Sequence, residues 1–120
     1  MALKRGDIVE VFFEFPKLKN TVTHPAIIIS NQDVYEVDEG YVCVIMTSSK
    51  DFIDRFTFEI TDNMLQRQNN KDFSQARCHM ITFVRESHLV DKNYPKNTLK
   101  PIAIERLLTF INEEVFSDDY

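Results

Sequence analysis

Residues Ala26 to Ser30 read AIIIS, a run too short and too β-branched to stand as a helix. Such side chains pack best on a pleated, buried surface, so the run predicts a central strand. Four further short runs repeat the signal. In DIVEVFFEF, Val9, Val11, Phe13 and Phe15 point one way and Glu10 and Glu14 the other, a half-buried strand stopped by Pro16. YVCVIMT (Tyr41 to Thr47) is a second buried strand, ending in the hydroxyl-rich TSSK. RFTFEI (Arg55 to Ile60) sets Phe56, Phe58 and Ile60 on one face, and ARCHMITFV (Ala76 to Val84) is the fifth candidate. Between them lie a polar loop over Lys17 to Thr23 and an acidic, exposed connection over Asn31 to Gly40. The Asn-rich TDNMLQRQNNKDF reads as loop or short irregular helix. After Pro95 and Pro101, Ile104, Leu107, Leu108, Ile111 and Val115 recur at helical spacing and predict one amphipathic helix. The sum is a mainly β chain, a small antiparallel β-barrel with a C-terminal helix, in one domain over residues 1–120.

Composition narrows the function. Hydrophobic content of 43% and charged content of 28% are those of a globular chain, and 120 residues can enclose one core. Two glycines in the whole chain leave no Gly-rich phosphate loop. The net charge of −5 does not announce a nucleic-acid-binding face. The acids are uneven, however: Asp33, Glu36, Asp38 and Glu39 form one group, and Glu113, Glu114, Asp118 and Asp119 another. With these eight set aside, 11 acidic residues remain against 14 Lys and Arg. Cys43 and Cys78 lie in apolar runs and read as buried free thiols. The start MALKRGDIVEV has no apolar targeting segment and no run approaches a membrane span, so the expected location is the cytoplasm.

For chemistry, His24, His79 and His88 lack the close pairing of zinc frameworks. The one adjacent pair, Cys78-His79, points to opposite faces of a strand. No metal and no other cofactor is expected. No G-x-S-x-G elbow is present. What remains is a polar set at strand ends. His24 opens the second strand, Thr47 and Ser48 close the third, and Arg77 and His79 share one face of the fifth. Imidazoles, a cation and hydroxyls suit cleavage of RNA by its own 2′-hydroxyl, which needs a base, an acid and a group that holds the charged phosphorane.

The order of motifs resembles the MazF/PemK (Kid) family, toxins of type II toxin–antitoxin pairs. KRGDIVEVFFEF is similar to the family's opening R-G-D/E-I-V/W strand, THPAIIISN to its R-P-A/V strand, and VCVIMTSS to the strand ending in a Thr-Ser pair. ARCHMITFV resembles the R-C-D-Q strand of the PemK branch. The resemblance runs over about the whole chain. It implies an SH3-like barrel, a homodimer, and metal-independent, sequence-specific cleavage of single-stranded RNA to a 2′,3′-cyclic phosphate. It also implies a small acidic antitoxin as partner. By position it makes Thr47 a ligand of the scissile phosphate and Arg77 the charge-stabilising proton donor. His79 stands where the PemK branch has an Asp base, and His24 where the wider family has a catalytic Arg. Arginine is always charged and forks onto phosphate, which histidine does not. RNA-binding candidates are Lys17, Lys19, Ser48, Lys50 and Arg55, with Phe52 or Phe73 as stacking platforms. The alternative reading is a catalytically weakened member acting as an RNA- or protein-binding module.

Overall fold

The R-G-D segment builds a turn before it starts a strand. Gly6 takes φ +95°, a conformation that side-chain-bearing residues rarely adopt, and Asp7 Oδ2 accepts from the Lys4 N–H at 2.8 Å. Asp7 Oδ1 accepts from the Thr98 hydroxyl at 2.8 Å, so this buried carboxylate ties the start of the chain to its late part. A computed structural model describes residues 3–13 and 22–118. Lys17, Lys19, Phe15 and Pro16 lie outside the described residues.

β1 (Asp7–Phe13) is followed by β2 (Val22–Ile28), α1 (Gln32–Asp38), β3 (Gly40–Thr47), β4 (Thr57–Glu59), β5 (Gln75–Arg85), β6 (Asn97–Thr98) and α2 (Pro101–Ile111). The sheet is antiparallel in the order β4-β5-β3-β2-β1-β6. Its two ends meet. Leu65, just past β4, bridges Leu99, just past β6, and the Gln66 N–H donates to the Thr98 carbonyl at 2.9 Å. The sheet therefore curls into a half-barrel closed by the terminal helix.

Alternation sends successive side chains to two cores. Ile8, Ile27, Val44, Met46, Ala76 and Cys78 face inward against Ala103, Ile104, Leu107 and Ile111 of α2. Val9, Val11, Ala26, Ile28, Tyr41, Cys43 and Val84 form a second cluster with Leu3 and Leu89. Cys43 and Cys78 are free, buried and in different clusters. Burial pushes both thiols up to about 12.

The connection from Asn31 to Gly40 departs from the expectation of a loop, for it contains α1. None of its residues is buried, so no apolar stripe marks it in the sequence. Its ends define it. Asn31 Oδ1 accepts from the Val34 N–H, and Glu39 turns left-handed at φ 51° while its N–H donates to the Tyr35 carbonyl at 2.7 Å. Gly40 then passes so close to β5 that a Cβ there would meet the Val84 carbonyl oxygen at 2.7 Å. β4 is shorter than the alternation of RFTFEI implies. Asp54 caps the turn before it, accepting from the Phe56 N–H at 2.9 Å.

Candidate functional site: a cleft where two strands part

The ladder between β2 and β3 runs from Ile28–Cys43 to Ala26–Ile45 and stops there. β2 continues back to Val22 along β1, whereas Met46 and Thr47 of β3 go on to pair with Ala76 and Gln75 of β5. The two strands thus diverge, and the gap is a cleft of about 580 Å³. Ile8, Met46 and Leu65 of the inner core floor it. Thr23, His24 and Pro25 form one wall, Thr47 and Ser48 the end of the opposite one. Gln68, Asn69, Asn70, Lys71 and Ser74, from the β4–β5 connection, overhang it, and Lys96 and Asn97 complete the rim with Glu10 of β1.

The run from Thr21 to Asn31 now has a physical reading. Ala26, Ile27 and Ile28 anchor β2 in both cores. Ser30 Oγ accepts from the Val42 N–H at 2.9 Å, extending the ladder past the strand's end, and Asn31 caps α1. Half-buried His24 lies at the rim of the cleft, opposite Val11 in the ladder and so on the face of β2 that carries Ala26 and Ile28, while Thr23 and Pro25 share the face of Ile27 and the cleft floor. Thr47 is set by its own turn: its Oγ accepts from the Ser49 N–H at 3.1 Å.

The overhang is also built. Asn69 takes the Lys71 N–H on its Oδ1 and donates through Nδ2 to Ser74 Oγ, each at 3.2 Å. Asn97 accepts from the Arg67 N–H at 3.1 Å and donates to the Arg67 carbonyl at 2.9 Å. Glu10 pairs with Lys96.

Arg77 and His79 do not line this cleft. Ala76 and Cys78 face the inner core, so alternation turns Arg77 to the opposite face of β5. There the guanidinium is buried, and Nη1 donates to the Phe52 carbonyl, Asp54 Oδ1, Thr57 Oγ and Gln75 Oε1 at 3.0–3.1 Å. Nη2 donates to Asp54 Oδ2 at 2.9 Å, a two-pronged ion pair. That hydrogen bonding, and next the Phe56 N–H, hold the Asp54 carboxyl below its usual value. Gln75, opposite Thr47 in the ladder, donates through Nε2 to the Ser49 and Phe52 carbonyls at 3.2 and 2.6 Å. Arg77 is therefore coupled, on the face it shares with Gln75 and Thr47, to the segment after Thr47. Exposed His79 lies against Phe56, ring centroids 4.6 Å apart.

Of the expected RNA contacts, Ser48 lines the cleft. Lys50 is exposed outside its lining, and Arg55 pairs with Glu114 at 3.1 Å. Phe52 is exposed, with the Arg77 guanidinium 5.9 Å from its ring centre. Missed from the sequence were Glu10, Lys71, Lys96 and the amides of Gln68 to Asn70. Glu10 shares a face with Ile8, but its cleft is formed by segments some 60 and 86 residues away. Among the described residues, no three His, Cys, Asp or Glu side chains gather as a metal site.

Residues 4–112 match the family described as PemK-like, MazF-like toxin of type II toxin-antitoxin system. The chain belongs to that family. The match spans both strand walls of the cleft, its overhang and all of α2. No curated protein matches in sequence. Among solved structures, an endoribonuclease in complex with its cognate antitoxin from a Mycobacterial species superposes with TM-score 0.69 and 13% identity, covering 99% of this chain and 100% of that one. A MazE–MazF complex from Deinococcus radiodurans gives TM-score 0.69 at 10% identity, covering 94% and 95%. A MazF structure from the same organism gives 0.66 at 10% identity, covering 94% and 96%. At such low identity these neighbours share the PemK/MazF fold, the curled antiparallel sheet with a C-terminal helix. No helix among the described residues is long and apolar enough to cross a membrane.

Proposed function

We propose that this PemK/MazF-family toxin is an endoribonuclease that cuts single-stranded RNA in the β2–β3 cleft. The observation that carries the reading is the parting of β2 and β3, which gathers His24, Thr47 and Ser48 round one opening. In the proposed reaction the substrate's 2′-hydroxyl attacks its own phosphorus, the bond to the 5′-oxygen breaks, and a 2′,3′-cyclic phosphate and a 5′-hydroxyl result. His24 moves a proton, since an imidazole can both take one and give one. The Thr47 and Ser48 hydroxyls and nearby backbone N–H groups hold the phosphate oxygens. Lys71 and Lys96 supply positive charge at the rim of an otherwise acidic protein. Engaged on four neighbours, Arg77 acts as a strut for the segment after Thr47 rather than as a reacting group.

Two of the similar structures hold a MazF-type chain or endoribonuclease with an antitoxin. By that likeness, the partner is an antitoxin; the resemblance of the motifs adds that it competes with RNA for the cleft and that the working unit is a homodimer. The test is incubation of purified protein with end-labelled single-stranded RNA in EDTA beside His24→Ala. Discrete products ending in cyclic phosphate, lost in the variant, support the proposal. RNA left intact at high protein concentration refutes it.

A further inference from the structure

The parting of β2 and β3 has a cause in the sequence. The Ile28 carbonyl accepts from the Gly6 N–H at 2.8 Å on the β1 side, and the Ile29 N–H donates to the Val42 carbonyl of β3 at 2.9 Å. Backbone groups alternate in direction along a strand, so residues 25, 27 and 29 aim theirs at β3. Residue 25 is Pro25, which has no N–H to give. One rung beyond the Ala26–Ile45 pair, the register sets it opposite Met46. The Met46 carbonyl therefore receives no N–H from β2 and is left as an acceptor at the head of the gap. Pro25 and Met46 both line the cleft, with side chains on the face of its apolar floor.

Four amide side chains line the same cleft, and their bonding sorts them. Asn69 and Asn97 are engaged: the first holds the Lys71 N–H and Ser74, the second both backbone groups of Arg67. Gln68 and Asn70, exposed on either side of Asn69, make no side-chain hydrogen bond among the described residues. The engaged amides thus hold the overhang, and the other two each offer a donor and an acceptor to whatever fills the cleft. A volume of about 580 Å³, an apolar floor and a convergent polar rim suit a small planar ligand.

We infer that the cleft holds one base of the RNA, adenine or cytosine, and that Gln68 and Asn70 grip its edge, an inference that rests on the RNA-cleaving reading above. Both bases set an amino donor beside a ring-nitrogen acceptor. Guanine and uracil carry an oxygen in place of that amino group, beside an N–H. The base lies flat on Pro25 and Met46. Its amino group donates to the Met46 carbonyl, and a Gln68 or Asn70 N–H donates to its ring nitrogen. A side-chain amide turns over to suit either class of edge, but a strand carbonyl cannot. With guanine or uracil, oxygen meets oxygen and the buried acceptor goes unpaired. Discrimination therefore originates at residue 25, where the missing N–H leaves the carbonyl open.

The test is cleavage of a random-sequence single-stranded RNA pool, with the product ends sequenced, by wild type, Pro25→Ala and the double variant Gln68→Met, Asn70→Leu. Wild type is expected to favour A and C over G and U at one position near the cut by about 5–150-fold, the usual worth of one bidentate base contact. Pro25→Ala restores an N–H that can close on the Met46 carbonyl, so cleavage at A and C should fall toward the level at G and U. The double variant should show the same collapse with its urea midpoint unchanged, since neither amide holds the fold. Wild type without such a position, or both variants keeping the full preference, overturns the inference alone. An equal fall at all four bases in the folded double variant overturns it too, for the amides then grip without reading. Binding of uncleavable 2′-deoxy oligonucleotides that differ only in base gives the same readout without cleavage. Wild-type protein that cuts no RNA but binds strands of A and C over those of G and U overturns the cleavage reading and supports the pocket; no preference in either assay overturns both.

Discussion

Replacing Arg77 with Ala distinguishes a strut from a reacting group. Its loss leaves the Oε1 of fully buried Gln75 without its donor, a desolvation cost of about 1–3 kcal/mol. The Phe52 carbonyl keeps Gln75 Nε2 at 2.6 Å and the Thr57 hydroxyl at 3.2 Å, so it adds little. Asp54 is 47% exposed and retains the Phe56 N–H, so water re-solvates it and the lost ion pair adds little after screening. The total is therefore about 1–3 kcal/mol, read in urea unfolding as a lower midpoint at unchanged slope. Arg77→Lys keeps the charge but not the fork, and should recover less than half. Cleavage by Arg77→Ala should fall together with the ordering of residues 48–56. Undiminished stability with abolished cleavage would refute the strut and return Arg77 to the reacting role that its motif implies. The same pair sets an acid sensitivity. Because the folded Asp54 carboxyl lies below its ordinary value, its contribution is present above pH about 4 and fades as pH falls through the folded value. Asp54→Asn should weaken that dependence.

Other outcomes follow from packing. Gly40→Ala must push the β3 backbone away from the Val84 carbonyl and should cost about 1–3 kcal/mol in thermal or urea unfolding. Leu107→Ala empties the fully buried contact of α2 with the inner core and should cost about 2–5 kcal/mol. Cys43 and Cys78, with thiols pushed up to about 12, should resist alkylation at pH 8 in the native state and label fully in denaturant. Rapid native labelling of either would contradict its burial.

How much of this was legible in the chain depends on where the determining contacts lie. β2, β3 and β5 announced themselves because their β-branched runs meet a core on one or both faces. α2 did so because Ile104, Leu107 and Ile111 keep helical period against that core. α1 stayed hidden because its ends, not a buried stripe, specify it. β6 is two residues long and is set by its partners in β1. His24, Thr47 and Ser48 could be found as polar residues at the ends of apolar strands. The face of Arg77 could be read, but not its partners, since Asp54 and Phe52 reach it from 23 and 25 residues away. Glu10 looked like the solvated side of an alternating strand. Its Lys96 is 86 residues distant, and nothing local records that pairing.

The central claim is that RNA enters the gap between β2 and β3. Its most direct test is titration of a single-stranded RNA, made uncleavable by 2′-deoxy substitution, into isotope-labelled protein while backbone amide shifts are followed. The account predicts contiguous shifts at Thr23, His24, Thr47, Ser48, Asn69 and Asn97. Shifts confined to the opposite face around Arg77, Phe56 and His79 would contradict it, as would no shift at saturating RNA.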